Sequence, residues 1–213
     1  MAEKIKKEES LIYLDAVKEY VYRSFAAVGN RVVPVHLEGT VAWLRELSPE
    51  AGEALLVAGM AHDLERAFRE DEVYARMFSS DNAFRDPAFL EYHQRRSARI
   101  ISDYLKSISC PEAMRAKVYR LVSRHEVGGD PESNLLKDAD SLSFFEHNVE
   151  LFVTVKTRES SPEKVRSKFA WMYERISSPV ARCFCRPLYE MALERLDNFV
   201  KGSLGGKTAE VQS

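Results

Sequence analysis

The sequence predicts an all-α protein, a single-domain helical bundle. Three observations carry that prediction. Apolar residues recur at steps of three and four along most of the chain, prolines and capping residues punctuate those runs, and no two alternating segments read as paired strands. At 213 residues the chain is long enough to close one well-filled core, which favours one domain over two very small ones.

The elements follow in order. Leu11, Leu14, Val17, Val21, Phe25 and Val28 mark an amphipathic helix over residues 10–28, ended by Gly29 and Asn30. A second helix carries His36, Val41 and Leu44. Ser48, Pro49 and Glu50 supply a capping hydroxyl, a first-turn proline and an acid, and so predict the start of a third helix. That helix is expected to run through LLVAGMAHDLERAF, centrally, because Ala58, Gly59 and Ala61 permit close packing. Residues 69–86 break the pattern around a Ser-Ser-Asp-Asn stretch and read as a polar connection that could cover a site. Helix resumes near Pro87. Pro111 opens the next, ending near Glu126 before Gly128 and Gly129. Another is expected to begin around residues 135–140 and to continue towards Phe152, with a polar turn over 154–161. Helices over about 162–176 and 179–200 follow, the last interrupted or restarted at Pro187, and residues 202–213 read as a flexible tail.

Composition narrows the class. Apolar content of 45% and charged content of 30% are those of an ordinary globular protein. A formal charge of −2 argues against a protein held on nucleic acid by phosphate neutralisation, and no sequence-specific nucleic-acid binding is expected. A local basic pocket for a small phosphorylated substrate is invisible in such a sum. The three cysteines, Cys110, Cys183 and Cys185, do not suggest a disulfide framework. Cys183 and Cys185 would point roughly 200° apart on a helix, so both read as small buried hydrophobes rather than as a metal pair. The N-terminal MAEKIKKEES lacks the apolar core of a signal peptide, and no stretch approaches the roughly 20 apolar residues of a membrane span. A cytoplasmic protein without membrane attachment is expected.

The chemistry sits in a few groups. There are five histidines: His36, His62, His93, His125 and His147. A lone His62-Asp63 pair decides nothing. The ordered set His36, His62-Asp63, His93, His125 and Asp140, drawn from separate helices, offers six nitrogen and oxygen ligands and no thiolate.

That order, H…HD…H…H…D, resembles the HD-domain superfamily of metal-dependent phosphohydrolases. The local contexts GMAHDLER, YHQRRSARII and DADSL carry the resemblance, which spans about residues 36–143. It implies a single HD-type domain over residues 1–201, with a metal-site core over about 34–150 and C-terminal helices over about 162–200. It also implies one or two divalent metal ions. One would be held by His36, His62, Asp63 and Asp140, and a second by Asp63, His93 and His125 with Asp63 bridging. Mixed imidazole and carboxylate ligation favours Fe, Mn, Co or Ni over Mg. Two cations sharing a water would lower its pKa and neutralise phosphoryl charge. The expected activity is hydrolysis of a phosphoester or phosphoanhydride, with a nucleotide or related small phosphorylated metabolite as partner. The resemblance implies catalysis centred on His62, Asp63 and Arg66.

Arg66, four residues after His62, is expected on the same helical face as a phosphate clamp, where some dinuclear HD phosphodiesterases carry a lysine. The nucleotidase pattern, with glutamate three after the dyad aspartate, is absent because Arg66 stands there. Glu65 is expected to accept from a metal-bound imidazole. Arg96 and Lys137 are further substrate-binding candidates, with Ser97 also facing the site. Asp138 suits a capping or supporting role, and His147 falls outside the pattern as a structural or exposed residue. Two other readings use the same features: a di-iron oxygenase of the HD type, and a non-catalytic nucleotide-binding sensor.

Overall fold

The computed structural model describes residues 11–69 and 85–209, with side chains to residue 202. Among the described residues there are nine helices and no strand, in one all-α domain. They are α1 (Ile12–Ala27), α2 (Val32–Leu47), α3 (Glu53–Ala61), α4 (Pro87–Ser107), α5 (Glu112–Val122) and α6 (Pro131–His147). The contiguous pieces Val149–Leu151, Phe152–Lys156 and Thr157–Glu159 make α7, followed by α8 (Pro162–Glu174) and α9 (Pro179–Ala209). None of these helices is long and apolar enough to cross a membrane.

Helix α3 is central, as its composition predicts. Every residue from Leu55 to Ala61 is buried, so the helix has no polar face to turn outward. Its Glu53 also serves α1, which lacks a cap of its own: Glu53 Oε1 accepts from the backbone N–H groups of Tyr13 and Leu14 at 2.7 and 3.1 Å. Gly59 lets α2 approach closely, since a Cβ there would stand 2.6 Å from Leu44 Cδ1. Buried residues of α1 to α5, together with Leu136 and Ala139 of α6, form one core. Leu142, Phe144 and Phe145 of α6 pack with α7, α8 and α9 in a second. Helix α6 is therefore the shared wall between the two.

Several boundaries differ from the sequence expectation, each for a local reason. Ser48 closes α2 rather than opening α3; its N–H donates to Leu44 at 3.0 Å, and α3 begins only at Glu53 after a turn. The third helix also stops at Ala61 instead of running through Phe68. The His62 ring donates to the Gly59 carbonyl at 2.9 Å, the acceptor a continuing helix would need for Asp63. The chain then tightens into a 3₁₀ turn over Leu64–Ala67. Helix α5 ends at Val122 rather than near Glu126.

Helix α6 starts earlier than expected, at Pro131. Asp130 accepts from Ser133 N–H at 3.1 Å and Pro131 fills the first turn, so Asp140 lies mid-helix. Residues 154–159 are helical, not a turn. The Thr154 and Thr157 hydroxyls donate to the Glu150 and Phe152 carbonyls, and Phe152–Lys156 adopts π-helical winding. Helix α9 passes through Pro187 without restarting, and runs to Ala209, beyond the Gly202 where a tail was expected. Pro187 leaves the carbonyl of Cys183 without its helical donor, and Cys183 is solvent-exposed. That exposure also corrects the expectation of two buried cysteines, since only Cys185 of the pair is buried. Residues 70–84 of the expected polar connection lie outside the described residues.

Asp138 shows how α6 organises the C-terminal half. Its two carboxylate oxygens accept from the N–H groups of Ser177 and Ser178, each at 2.7 Å, at the start of α9. Replacing it leaves two inward N–H groups without an acceptor. Asp138→Ala is expected to lower unfolding free energy by about 1–2 kcal/mol. Chemical denaturation followed by circular dichroism checks this, and an unchanged midpoint would refute the capping role.

Candidate metal centre

Three helices and the turns after α3 and α5 bring six side chains together. His36 comes from α2, His62 and Asp63 from the end of α3, His93 from α4, His125 from the turn after α5, and Asp140 from α6. All six are buried. The approach of α2 to α6 depends on Gly39, where any Cβ would collide with the His147 ring and the Ser143 hydroxyl. The fifth histidine thus packs on Gly39, half-buried and outside the cluster, as expected.

In each of the four imidazoles Nδ1 has an oxygen partner. His62 Nδ1 faces the Gly59 carbonyl at 2.9 Å and His125 Nδ1 the Val122 carbonyl at 2.8 Å. His93 Nδ1 lies 2.7 Å from Glu65 Oε1. His36 Nδ1 lies 3.0 Å from Ser143 Oγ, whose own proton goes to the His36 carbonyl at 2.6 Å. Carbonyls and carboxylates only accept, so Nδ1 carries a proton, and each ring when neutral offers the Nε2 lone pair. The Nε2 atoms of His62, His93 and His125 are buried and hydrogen-bonded to nothing. Burying three such nitrogens without hydrogen-bond partners is costly, and divalent cations could satisfy them.

The Nε2 atoms meet the two aspartates in two groups. His36, His62 and Asp140 form one, with Nε2 to Asp140 Oδ1 distances of 3.1 and 3.4 Å. Asp63, His93 and His125 form the other, with Nε2 to Asp63 Oδ1 distances of 2.8 and 3.9 Å. Within each group the ligand atoms lie within 4.8 Å of one another, a span that one ion can coordinate. The two groups adjoin, since the His62 and His125 rings are 4.9 Å apart. Asp63 falls with the second group only. Its Oδ2 is 2.8 Å from Arg66 Nε.

The remaining predicted residues separate clearly. Glu65 Oε1 accepts from His93 as expected, and from Arg69 Nη2 at 2.6 Å as well. Arg66 reaches the centre by 3₁₀ spacing from Asp63, not by α-helical spacing from His62. Arg96 donates to the Phe68 carbonyl at 2.6 Å and the Tyr92 hydroxyl at 3.0 Å, pinning the chain after the turn to α4. Ser97 Oγ receives the Glu65 N–H at 3.1 Å. Lys137 is buried on α6 with its ammonium beside the Gly128 turn.

Sequence reasoning missed Arg175, Glu126, Gln94 and Ser143. Arg175, at the end of α8, pairs with both Glu126 and Asp140 and donates to Ser141 Oγ at 2.8 Å. Gln94 accepts the Glu126 N–H at 2.9 Å and so fixes the turn bearing His125. Gln94 follows His93 directly, but nothing in its spacing signals a partner 32 positions away.

Electrostatics follow from this packing. Burial raises the Asp63 and Asp140 carboxyls, but their cationic and imidazole neighbours, led by Arg66 and Arg175, outweigh it and hold both well below the usual range. Burial pushes His125 down to about 4, so it is neutral at pH 7. Burial also lowers His93, yet the Asp63 and Glu65 carboxylates override it and raise its pKa to about 9.

This is a helical protein with two adjoining groups of histidine and aspartate that could hold metal ions. The chain belongs to the family described as "Domain of unknown function (DUF4202)", whose profile matches residues 34–186. Neither curated proteins nor solved structures gave a match. The matched region includes every member of the two groups and also Arg175.

A metal-free centre must shed the extra His93 proton before Nε2 can bind a cation. Metal uptake at pH 7 is therefore expected to release protons and to tighten as pH rises towards about 9. Without metal, the His93 contribution to stability has the opposite trend. A raised pKa is stabilising below about 6.5 and is lost as pH climbs through about 9. Calorimetry of metal binding in buffers of different ionisation enthalpy measures the released proton, and a buffer-independent enthalpy at pH 7 would contradict the assignment.

Proposed function

We propose that the protein is a metal-dependent phosphohydrolase acting on a phosphoester or phosphoanhydride of a nucleotide or related small metabolite. The observation that carries the reading is the convergence of four imidazole Nε2 atoms on two buried carboxylates. The HD-type order of ligands supports it, and so do the cationic side chains of Arg66 and Arg175 beside Asp63 and Asp140. Divalent ions bound there would activate a water as nucleophile and neutralise phosphoryl oxygens. The imidazole and carboxylate donors favour Mn, Fe, Co or Ni over Mg.

The chain's own groups supply the rest. His36, His62 and Asp140 would hold one ion; Asp63, His93 and His125 would hold the other. Glu65 keeps the His93 ring in the orientation that aims Nε2 inward. Arg66, paired through Nε with Asp63 Oδ2, would bring a guanidinium charge to the phosphoryl oxygens. The hydrolysis adds one water across the P–O bond: its oxygen goes to phosphorus, one proton to the leaving oxygen and the other to solvent.

Purified protein is expected to carry close to two transition-metal ions and to release phosphate or a nucleoside monophosphate from a substrate panel. Asp63→Ala should lose metal from the second group and reduce turnover by at least 10³-fold, the scale on which loss of a principal electrostatic element acts. Glu65→Gln should weaken metal binding by about 10–100-fold while leaving the ligands in place. Full activity of a metal-free Asp63→Ala protein would end the proposal. Oxygen consumption by an iron-loaded sample, without phosphate release, would replace it with oxygen chemistry.

A further inference from the structure

Two cations on α8 approach the metal centre from outside the segment that carries the HD-type ligand order. Lys168 and Arg175 are seven residues apart, two turns of helix, and so lie on one face. Between them Trp171 is in contact with both: Lys168 Nζ is 4.3 Å and Arg175 Cζ 4.8 Å from the indole centroid. Lys168 also lies 5.6 Å from the Phe144 ring. Cations held on aromatic faces keep their charge while their stems are fixed. Arg175 fastens this face to the centre through Asp140 and Glu126. Lys168 joins Arg175 on this face through the shared contact with Trp171.

The local charge sum is informative. By formal charge, Asp63, Asp140 and Glu126 supply three negative charges; Arg66, paired with Asp63, and Arg175, paired with Asp140 and Glu126, supply two positive ones, and Lys168 on Trp171 a third. Glu65 has its own counter-ion in Arg69, and the four imidazoles can be neutral ligands. The protein thus already balances its carboxylates, which leaves the charge of two divalent ions for water-derived and substrate oxygens to offset. A phosphodiester brings one negative charge, and a terminal phosphate group brings two.

We propose that Lys168 and Arg175, held together on Trp171, form the anion subsite of this centre and that it takes a dianionic terminal phosphate, a phosphomonoester or the end of a polyphosphate. This deepens the phosphohydrolase reading and rests on it for the metal pair. In the subsite, Lys168 supplies a point charge and Arg175 a positioning contact through Asp140 and Glu126.

The test uses full-length, metal-loaded protein bearing Trp43→Phe, which leaves Trp171 as the one remaining tryptophan of the two in the chain. Inorganic phosphate and dimethyl phosphate are the probes, with calorimetry for affinity and Trp171 emission for location. Phosphate is expected to change the emission and to bind at least tenfold more tightly than dimethyl phosphate. Lys168→Met should weaken phosphate at least tenfold with metal content unchanged, and Lys168→Arg should restore most of it. Arg175→Lys keeps the charge and guards against a folding defect. Phosphate affinity within twofold of the parent in Lys168→Met, equal binding of the two probes, or no binding of phosphate overturns the proposal. Discrimination between the probes without hydrolysis of any panel substrate leaves the subsite standing and removes the phosphohydrolase reading.

Discussion

The whole centre depends on where four protons sit. Each imidazole commits Nδ1 to an oxygen, two of them backbone carbonyls one turn earlier in the same segment, and turns Nε2 to the centre, where the neutral ring offers a lone pair. A buried acceptor without a donor is destabilising on its own, and three stand within one pocket beside two carboxylates. That arrangement is understandable as preparation for cations, and few other ligands would satisfy nitrogens and carboxylates together.

The fold can be read as the means of reaching this arrangement. Helix α6 divides the two cores and contributes Asp140 to the centre, Ser143 to His36, and Asp138 to the start of α9. Gly39 lets α2 come close enough for His36 to meet Asp140. The break after α3 has the same purpose at closer range. By ending the helix at Ala61, the His62 ring frees Asp63 and turns Arg66 onto it through a 3₁₀ step. Arg175 then ties the C-terminal helices to the centre by pairing with Glu126 and Asp140, so the second core bears directly on the first.

Much of this was legible in the sequence because it is written in residue types. The apolar spacing of α1, the all-apolar run of α3 and the ordered histidines and aspartates each survive translation into structure. Glu65 and Asp138 were legible as supporting groups from their spacing to ligands. What stayed hidden was either local hydrogen-bond competition or distant pairing. The end of α3 turns on a side chain capturing one carbonyl, which helical periodicity cannot register. Arg96 has the right spacing from His93 yet is drawn away by Phe68 and Tyr92. Arg175 belongs to the centre through partners 35 and 49 positions away. The π-wound α7 looked like a turn because its threonines satisfy carbonyls that polar composition alone would assign to solvent.

Anomalous diffraction from crystals grown with Mn²⁺ tests the central claim most directly. Two peaks are predicted per chain, one in contact with Nε2 of His36 and His62 and with Asp140, the other with Nε2 of His93 and His125 and with Asp63. Absence of both peaks at saturating metal, with the Nε2 atoms hydrogen-bonded to water instead, would contradict the account.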